Sequence, residues 1–201
     1  MLSCVRSQKK MENRRGSWYT YKERLRFDRS ERTYAMKNIL FIGTGGTIAS
    51  EMSDGALSPA LTAAQLLHHI PEVSDICRVD AVQLFTLDST DITPTHWLRI
   101  ADEIINNYDR YDGFVIAHGT DTLAYTAAAL SYLIQNSRKP IVITGAQKPI
   151  GFDTTDSKQN LTDSFICAAS GLSGVLVVFG GHVLLGTRAR KTRTKSFSAF
   201  S

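Results

Sequence analysis

Nearly continuous apolar runs alternate with amphipathic stretches along the chain from residue 36 onward. The apolar runs predict strands at 37–43, 79–86, 113–117, 140–144 and 174–180, with a short further strand at 183–186. Runs such as FVIA and IVIT lack the polar alternation of a strand that has one solvated face. This pattern indicates strands buried on both faces, as in a parallel sheet.

Helical patterns lie between these strands, at 62–70, 94–107, 121–135 and 156–170. Thr93-Pro94 provides an N-cap residue and a first-turn proline for the second helix, and Gly171 ends the last one. Strands that alternate with helices predict an α/β domain with an open, doubly wound, mostly parallel sheet and helices on both faces. In such sheets the ligand lies outside the carboxyl ends of the strands, at the switch point, so we expect the chemistry there.

The charge distribution divides the chain into two parts. Residues 1–35 contain 10 Lys/Arg and 4 Asp/Glu, a net charge of +6, and show no sustained hydrophobic period. We expect a disordered basic extension there, with a targeting or RNA-binding arm as the alternative. Residues 36–187 contain 8 Lys/Arg and 15 Asp/Glu, a net charge of −7. Because a nucleic-acid-binding protein carries its basic residues on the folded domain, we expect no nucleic-acid partner.

The remaining bulk features point to a cytoplasmic protein. No apolar run approaches the roughly 18 residues of a membrane span, and we expect neither a membrane anchor nor a secretory signal. Cys4, Cys77 and Cys167 are far apart and form no CxxC pair, which argues against a zinc site or a disulfide framework. The histidines show no metal-ligand spacing, and His118 is predicted to be structural.

The first predicted strand runs into the glycine-rich turn GTGGTIAS (43–50). This turn is not a phosphate loop, since GxxxxGK[ST] is absent and Ile48 stands where GxGxxG requires a glycine. Gly45-Gly46 would allow close backbone approach and leave the Thr47 hydroxyl exposed at the carboxyl end of the strand. A tight turn without chemistry is the alternative.

Two further strand ends carry polar clusters. Thr120 and Asp121 follow the third strand in HGTDTLAYT (118–126), where either residue could instead cap the next helix. Asp88, Ser89 and Thr90 follow the second strand, where a loop before a helix cap is the alternative. Two threonines at one sheet edge are suggestive, because a threonine hydroxyl needs only a base to become a nucleophile.

A basic run at 188–195 contains a candidate base. The arginines of this run are expected to be solvated surface residues. Lys191 could instead be turned inward, where burial and neighbouring cations favour the neutral amine that acts as a base.

Taken together, these motifs resemble the bacterial-type L-asparaginases. TGGTIAS (44–50) and HGTDTLAYT (118–126) are similar to the two active-site signatures of that family, and DSTD (88–91), TGAQKP (144–149) and the lysine of RKTRT (190–194) match as well. The resemblance covers 36–201 and is closest to the type I cytoplasmic branch. It implies a flavodoxin-like N-terminal catalytic domain, with the C-terminal domain of the family missing and the chain cut short at its C-terminal end.

The resemblance also implies roles for individual residues. Thr47 would be the nucleophile that forms an acyl-enzyme with asparagine, and Lys191 would act as a base through Thr120, with Asp121 beside them. The residues that would bind substrate are Asp88, Ser89, Thr90, Thr120, Asp121 and Ala146. Ser89 would bind the α-carboxylate and Asp121 the α-ammonium, while backbone at Thr120 and near Ala146 would contact the amide. No metal or organic cofactor is implied.

Two departures from the family pattern matter. The mobile loop that follows the first motif, EMSDGALSPA (51–60), lacks the tyrosine that orients the nucleophile in many members, so either another group orients Thr47 or activity is low. The missing C-terminal domain contributes to the neighbouring subunit's active site, so we expect the isolated chain to be inactive or nearly so. The family also implies a homo-oligomer, either a dimer or a tetramer.

Three alternatives to an asparaginase remain open. The chain could belong to the asparaginase-like subunit of the archaeal glutamyl-tRNA amidotransferase, although residues 1–35 are too short and polar for the structured leading domain of that subunit. It could also be a non-catalytic sensor of a nucleotide or amino acid. The third alternative is an inert, truncated product.

Overall fold

The described part of the chain is one run of alternating strands and helices. The structure is a computed structural model that describes residues 36–53 and 56–201, with only the backbone described at 52, 53 and 56–59. The expected disorder of residues 1–35 concerns residues outside this range. In chain order the elements are β1 (Asn38–Gly45), β2 (Ser50–Ser53), β3 (Ala56–Pro59), α1 (Ala63–Leu67), β4 (Arg78–Leu87), α2 (Pro94–Asn106), β5 (Gly113–Ala117), α3 (Leu123–Leu133), β6 (Pro140–Thr144), α4 (Ser157–Ala169), β7 (Gly174–Phe179) and β8 (His182–Leu185).

Six strands form one sheet in the order β4-β1-β5-β6-β7-β8. The first five of these strands are parallel, and β8 runs antiparallel to β7 at the edge. Numbered along the chain, the parallel strands lie in the order 2-1-3-4-5, which is the flavodoxin-like arrangement. The predicted open, mostly parallel, doubly wound sheet is therefore confirmed, and its switch point lies between β1 and β5.

Different helices cover the two faces of the sheet, because alternate residues of a strand point to opposite sides. Ile39 and Phe41 of β1 lie in the cluster with α1 and α4, and the Phe41 ring meets Phe165 of α4 edge-on with centroids 5.3 Å apart. Leu40 and Ile42 lie in the cluster with α2 and α3. The predicted helices on both faces are confirmed, and so is the double burial of the central strand β5.

Two helix boundaries follow the sequence signals. Thr93 is the N-cap of α2, and its backbone N–H donates to Nδ1 of His96 at 3.0 Å in a capping box. Gly171 follows the last helix with a φ of 76°, a left-handed conformation that glycine adopts without strain.

The segment from 50 to 70 differs from the prediction. The sequence indicated a loop at 51–60, but β2 and β3 pair there as an antiparallel hairpin. The dipeptide Asp54-Gly55 is a hairpin signal that the sequence contained. The helix predicted at 62–70 ends at Leu67. The chain continues as a turn to Ile70, where Pro71 disfavours helical backbone and φ is −135°.

The last twelve residues, 190–201, fold back on themselves and are called the terminal hairpin below. Arg190 and Ser201 exchange two backbone hydrogen bonds of 2.9 and 3.0 Å, and Lys191 forms an isolated antiparallel bridge with Phe200. The apolar and polar pattern of 187–201, which is mostly polar, predicts no closing element after the last strand. That expectation is wrong because Phe200 is buried against Phe179, with ring centroids 4.8 Å apart.

Candidate active site

The turn after β1 brings Thr47 to the switch point. Gly46 has a φ of 79°, and a Cβ on it would overlap the N and Cα atoms of Gly119. Only glycine fits both the backbone conformation and the contact. Thr47 then opens a short 3₁₀ turn and is half-buried, and among the described residues none hydrogen-bonds to its hydroxyl. That hydroxyl is therefore free to meet a ligand.

The loop after β4 packs against the loop after β5. A Cβ on Gly119 would lie 2.6 Å from the Oγ of Ser89, and the hydroxyl of Thr122 donates to the carbonyl oxygen of Ser89 at 2.6 Å. Within the first loop, Asp88 Oδ1 accepts hydrogen bonds from both the N–H and the hydroxyl of Thr90, each at 2.8 Å. Asp88 and Thr90 thus shape the turn that presents Ser89, which is only 3% exposed.

Lys191 contacts the loop after β5, although it lies far from that loop in sequence. Its ammonium donates to Thr120 Oγ1 at 2.8 Å and to Asp121 Oδ1 at 2.6 Å. The Lys191 side chain is 16% exposed and that of Asp121 is 60% exposed, so the pair has an inner and an outer end. Lys191 is turned inward as predicted, whereas Arg188, Arg190 and Arg193 are exposed.

The helix-cap alternative for Thr120 and Asp121 is wrong. Helix α3 begins at Leu123 and its N-cap residue is Thr122. Among the described residues, the side chains of Thr120 and Asp121 bond only to Lys191. Thr120 is 6% exposed, so a buried hydroxyl and an exposed carboxylate share one amine.

The loop after β6 approaches the same place from the other side. A Cβ on Gly145 would overlap the carbonyl oxygen of His118 and lie 3.4 Å from Cγ2 of Thr120. The side chain of Ala146 is buried in the core, which leaves only its backbone for a ligand. All predicted site residues therefore come from loops at one edge of the sheet.

Two buried residues of α4 and its N-cap, which the sequence analysis did not find, fix this loop. Asp156 accepts hydrogen bonds from the backbone N–H groups of Gln147 and Lys148 at 3.0 and 3.1 Å. Asn160 donates to the carbonyl oxygen of Gly145 at 2.9 Å and to Asp156 Oδ2 at 3.2 Å. An aspartate before a helix is normally an N-cap, so the sequence did not indicate that Asp156 binds the loop after β6.

His118 has a structural role, as predicted. Its Nδ1 lies 2.8 Å from the carbonyl oxygen of Gly119, and its Nε2 lies 2.9 Å from the hydroxyl of Thr126, which also accepts from the indole N–H of Trp97 at 3.0 Å. Since a carbonyl only accepts, Nδ1 carries the proton and Nε2 accepts from Thr126. Complete burial lowers the pKa of His118 to about 4, although its bond to Gly119 opposes that shift.

The residues that the structure describes give little support to a metal site, a membrane span or a cysteine nucleophile. None of their His, Cys, Asp and Glu side chains gather in threes around a possible metal position. No helix within residues 36–53 and 56–201 is both long enough and apolar enough to span a membrane. Cys77 and Cys167 are buried free thiols, and burial raises the pKa of each to about 12. A thiolate nucleophile at these positions is therefore disfavoured.

Comparison with known proteins identifies the family to which the chain belongs. The family model described as Asparaginase, N-terminal matches residues 38–201. The chain is 40% identical over 167 residues to an L-asparaginase of Thermococcus kodakarensis, which covers 81% of this chain and 50% of that protein. It is 39% identical over 175 residues to a glutamyl-tRNA(Gln) amidotransferase subunit of Pyrococcus abyssi, which covers 82% of this chain and 40% of that protein.

A solved structure agrees with these sequence matches. The crystal structure of L-asparaginase I from Vibrio cholerae aligns with a TM-score of 0.76 and 39% identity, over 83% of this chain and 51% of that one. The chain thus spans about half the length of the asparaginases that it matches. Since the family model covers most of the chain, this protein belongs to the asparaginase family and corresponds to its N-terminal domain.

Proposed function

We propose that this domain carries the catalytic residues of an amidohydrolase that converts free L-asparagine to L-aspartate and ammonia. The observation that supports this proposal most is the bonded group of Thr120, Asp121 and Lys191, beside the loop on which the Thr47 hydroxyl lies free. A nucleophile, a candidate base and a proton-carrying hydroxyl are what amide hydrolysis requires.

The reaction proceeds in two steps. The Oγ of Thr47 attacks the side-chain amide carbon, the C–N bond breaks, and ammonia leaves with the proton that Thr47 gave up. Water then attacks the ester, the bond to Thr47 breaks, and aspartate is released while Thr47 regains its proton. In its neutral form, Lys191 accepts a proton through the Thr120 hydroxyl, 2.8 Å away, and returns it within the same cycle. Backbone N–H groups at Thr120 and near Ala146 stabilise the oxyanion.

The charged groups suit a zwitterionic amino acid. Asp121 is bonded to Lys191 through Oδ1, and its Oδ2 accepts no hydrogen bond from the described residues, so Oδ2 is free to accept from an α-ammonium. Ser89 supplies a hydroxyl for the α-carboxylate, and Asp88 and Thr90 hold that loop in place. The side-chain amide then extends toward Thr47.

We expect the isolated chain to turn over asparagine slowly or not at all. The chain spans half the length of the asparaginases that it matches, and the family resemblance places part of each site on a C-terminal domain of a neighbouring subunit. The same family resemblance supports the proposal that the protein is a cytoplasmic homo-oligomer. Clear turnover by the folded 201-residue chain alone would contradict this part of the proposal.

A second candidate function is supported by the match to the amidotransferase subunit. In that case the same residues would release ammonia for a tRNA-linked reaction, as the name of that relative suggests. Ammonia release from free asparagine, measured on the longest natural form of the protein with and without tRNA, separates the two functions. Release that depends on tRNA would favour the amidotransferase.

Ligand binding by the chain tests the substrate class without turnover. Chemical shifts of backbone amides would be followed while L-asparagine, L-aspartate or succinamate is added, and succinamate lacks the α-ammonium. We expect Asp121→Asn to weaken binding of L-asparagine and leave succinamate unaffected, and Ser89→Ala to weaken all three. Equal effects of Asp121→Asn on L-asparagine and succinamate would contradict the assigned ammonium site.

A further inference from the structure

The side chain of Gln147 connects two segments of the site that are distant in sequence. Gln147 lies in the loop after β6, and its Nε2 donates to the carbonyl oxygen of Thr194 at 3.1 Å and to that of Ser196 at 3.2 Å. A glutamine amide has two N–H donors, so this contact uses both. Thr194 and Ser196 belong to the tip of the terminal hairpin that also carries Lys191.

The Gln147 end of this connection is rigidly held. Its backbone N–H lies 3.0 Å from both carboxylate oxygens of Asp156, which is 6% exposed. Asn160 ties the same carboxylate to Gly145, and its Oδ1 accepts from the N–H of Gly180 at 2.9 Å. Since charge-assisted bonds to buried carboxylates are strong, Gln147 is attached to the ends of β6 and β7.

The hairpin end depends on few other contacts. At its base, Phe200 is buried, and the Lys191–Phe200 bridge joins the two arms. Toward its tip, the backbone carbonyl of Phe197 lies close to Gly180. The ammonium of Lys148 lies over the Phe197 ring, 5.8 Å from the ring centroid. Thr194 and Lys195 are exposed. Within residues 36–53 and 56–201, the side-chain hydrogen bonds that join the tip to the rest of the domain are the two from Gln147.

We propose that Gln147 is a positioning residue: by holding the tip of the terminal hairpin, it keeps Lys191 against Thr120 and Asp121. The inference rests on the proposed function only in so far as Lys191 acts as the base. Gln147 itself need not touch substrate, since its side-chain amide is fully engaged with the hairpin.

The test removes the two donors while the size of the side chain is kept. Gln147→Glu replaces the donors with a carboxylate that faces two carbonyl oxygens, and Gln147→Leu removes them without adding charge. Gln135→Glu is the matched control, because Gln135 also donates to a carbonyl oxygen, that of Tyr132, but lies beyond the far end of α3. Thermal unfolding of each chain shows whether the fold survives.

The first readout is independent of catalysis. Acetylation of the Lys191 amine by acetic anhydride, followed by peptide mass spectrometry, reports how often the 16% exposed side chain is released. We expect acetylation about tenfold faster in both Gln147 variants, since losing the two hydrogen bonds together shifts the local opening equilibrium by a factor of about this size. We expect no change in Gln135→Glu.

The second readout is alkylation of Thr47 by an asparagine analogue that carries a diazoketone in place of the amide. A positioning role predicts a lower maximal alkylation rate with an unchanged half-saturating concentration, because the groups that bind substrate are untouched. Unchanged acetylation in both Gln147 variants would overturn the inference. Faster acetylation with an unchanged alkylation rate would also overturn it, since Gln147 would then be merely structural.

The two proposals fail in different ways. If the longest natural form of the protein is not alkylated at Thr47, the proposed function fails, and Lys191 acetylation alone decides whether Gln147 holds Lys191 in place. If alkylation occurs and the Gln147 variants behave like the unmodified chain, the proposed function stands and the positioning role is rejected.

Discussion

The Lys191 ammonium donates a hydrogen bond of 2.8 Å to the Thr120 hydroxyl, although 71 positions separate the two residues. The loop after β5 delivers Thr120, and the terminal hairpin delivers Lys191 after the chain has completed the sheet. Because both loops lie at the carboxyl edge beside the β1–β5 switch point, the pair forms only when the whole sheet is assembled. The candidate chemistry is therefore a property of the complete domain.

Removal of the Lys191 amine should slow the reaction of Thr47 strongly. Lys191→Met keeps the length of the side chain and removes the base, so we expect alkylation of Thr47 by the diazoketone analogue to fall about 100-fold or more. Lys195→Met is the control, because Lys195 is an exposed lysine of the same basic run. Equal losses in the two variants would show that Lys191 acts only through the charge of the run.

The close contact between the first and third loops should make Gly46 irreplaceable. In Gly46→Ala the new Cβ would overlap the backbone of Gly119 at a φ of 79°, so we expect unfolding to become easier by about 1–3 kcal/mol, measured in urea. Gly151→Ala serves as the control, because a Cβ at Gly151 would have no atom within 4 Å. If both variants lose the same stability, the contact is not the cause.

Burial of His118 should make the protein less stable in acid. The pKa of His118 is about 4 in the folded chain and has an ordinary value of 6.5 when exposed, so the unfolded chain binds the proton first as the pH falls. This contribution to stability is complete above pH 6.5 and is lost progressively down to pH 4, by about 3 kcal/mol at most.

The pH dependence can be assigned by substitution. His118→Phe removes the titration, so its free energy of unfolding should fall less between pH 7 and pH 4 than that of the unmodified chain. His68→Gln is the control, since His68 is exposed and should leave the slope unchanged. An identical slope in His118→Phe and the unmodified chain would assign the acid sensitivity to other groups.

The fold was largely predictable because its strands are unbroken apolar runs. Such runs as 113–117 and 140–144 can only be buried between two layers, and their alternation with helices specifies the parallel sheet. The placement of Thr47, Thr120 and Ser89 at one edge of the sheet was also predictable, since parallel strands place their carboxyl ends together. The hairpin of β2 and β3 was missed, although the dipeptide Asp54-Gly55 favoured it.

The supporting contacts of the site could not be predicted in this way. Asp156 resembles an ordinary helix cap in the sequence, and its carboxylate binds a loop instead. Phe200 stands in a polar stretch, and only its packing on Phe179 shows that the terminal hairpin is anchored. The bond between Trp97 and Thr126 depends on how α2 and α3 pack, which no local pattern specifies.

Alkylation of the chain by the diazoketone analogue of asparagine tests the central claim most directly. The analogue would be added to the longest natural form of the protein and to its Thr47→Val variant, which keeps the shape of the side chain and removes the hydroxyl, and the modified peptide would be identified by mass spectrometry. We expect one adduct, on Thr47, that excess L-aspartate suppresses and that Thr47→Val lacks. An adduct on another residue, or no adduct on the correctly folded longest natural form, would contradict the assignment of Thr47 as the nucleophile.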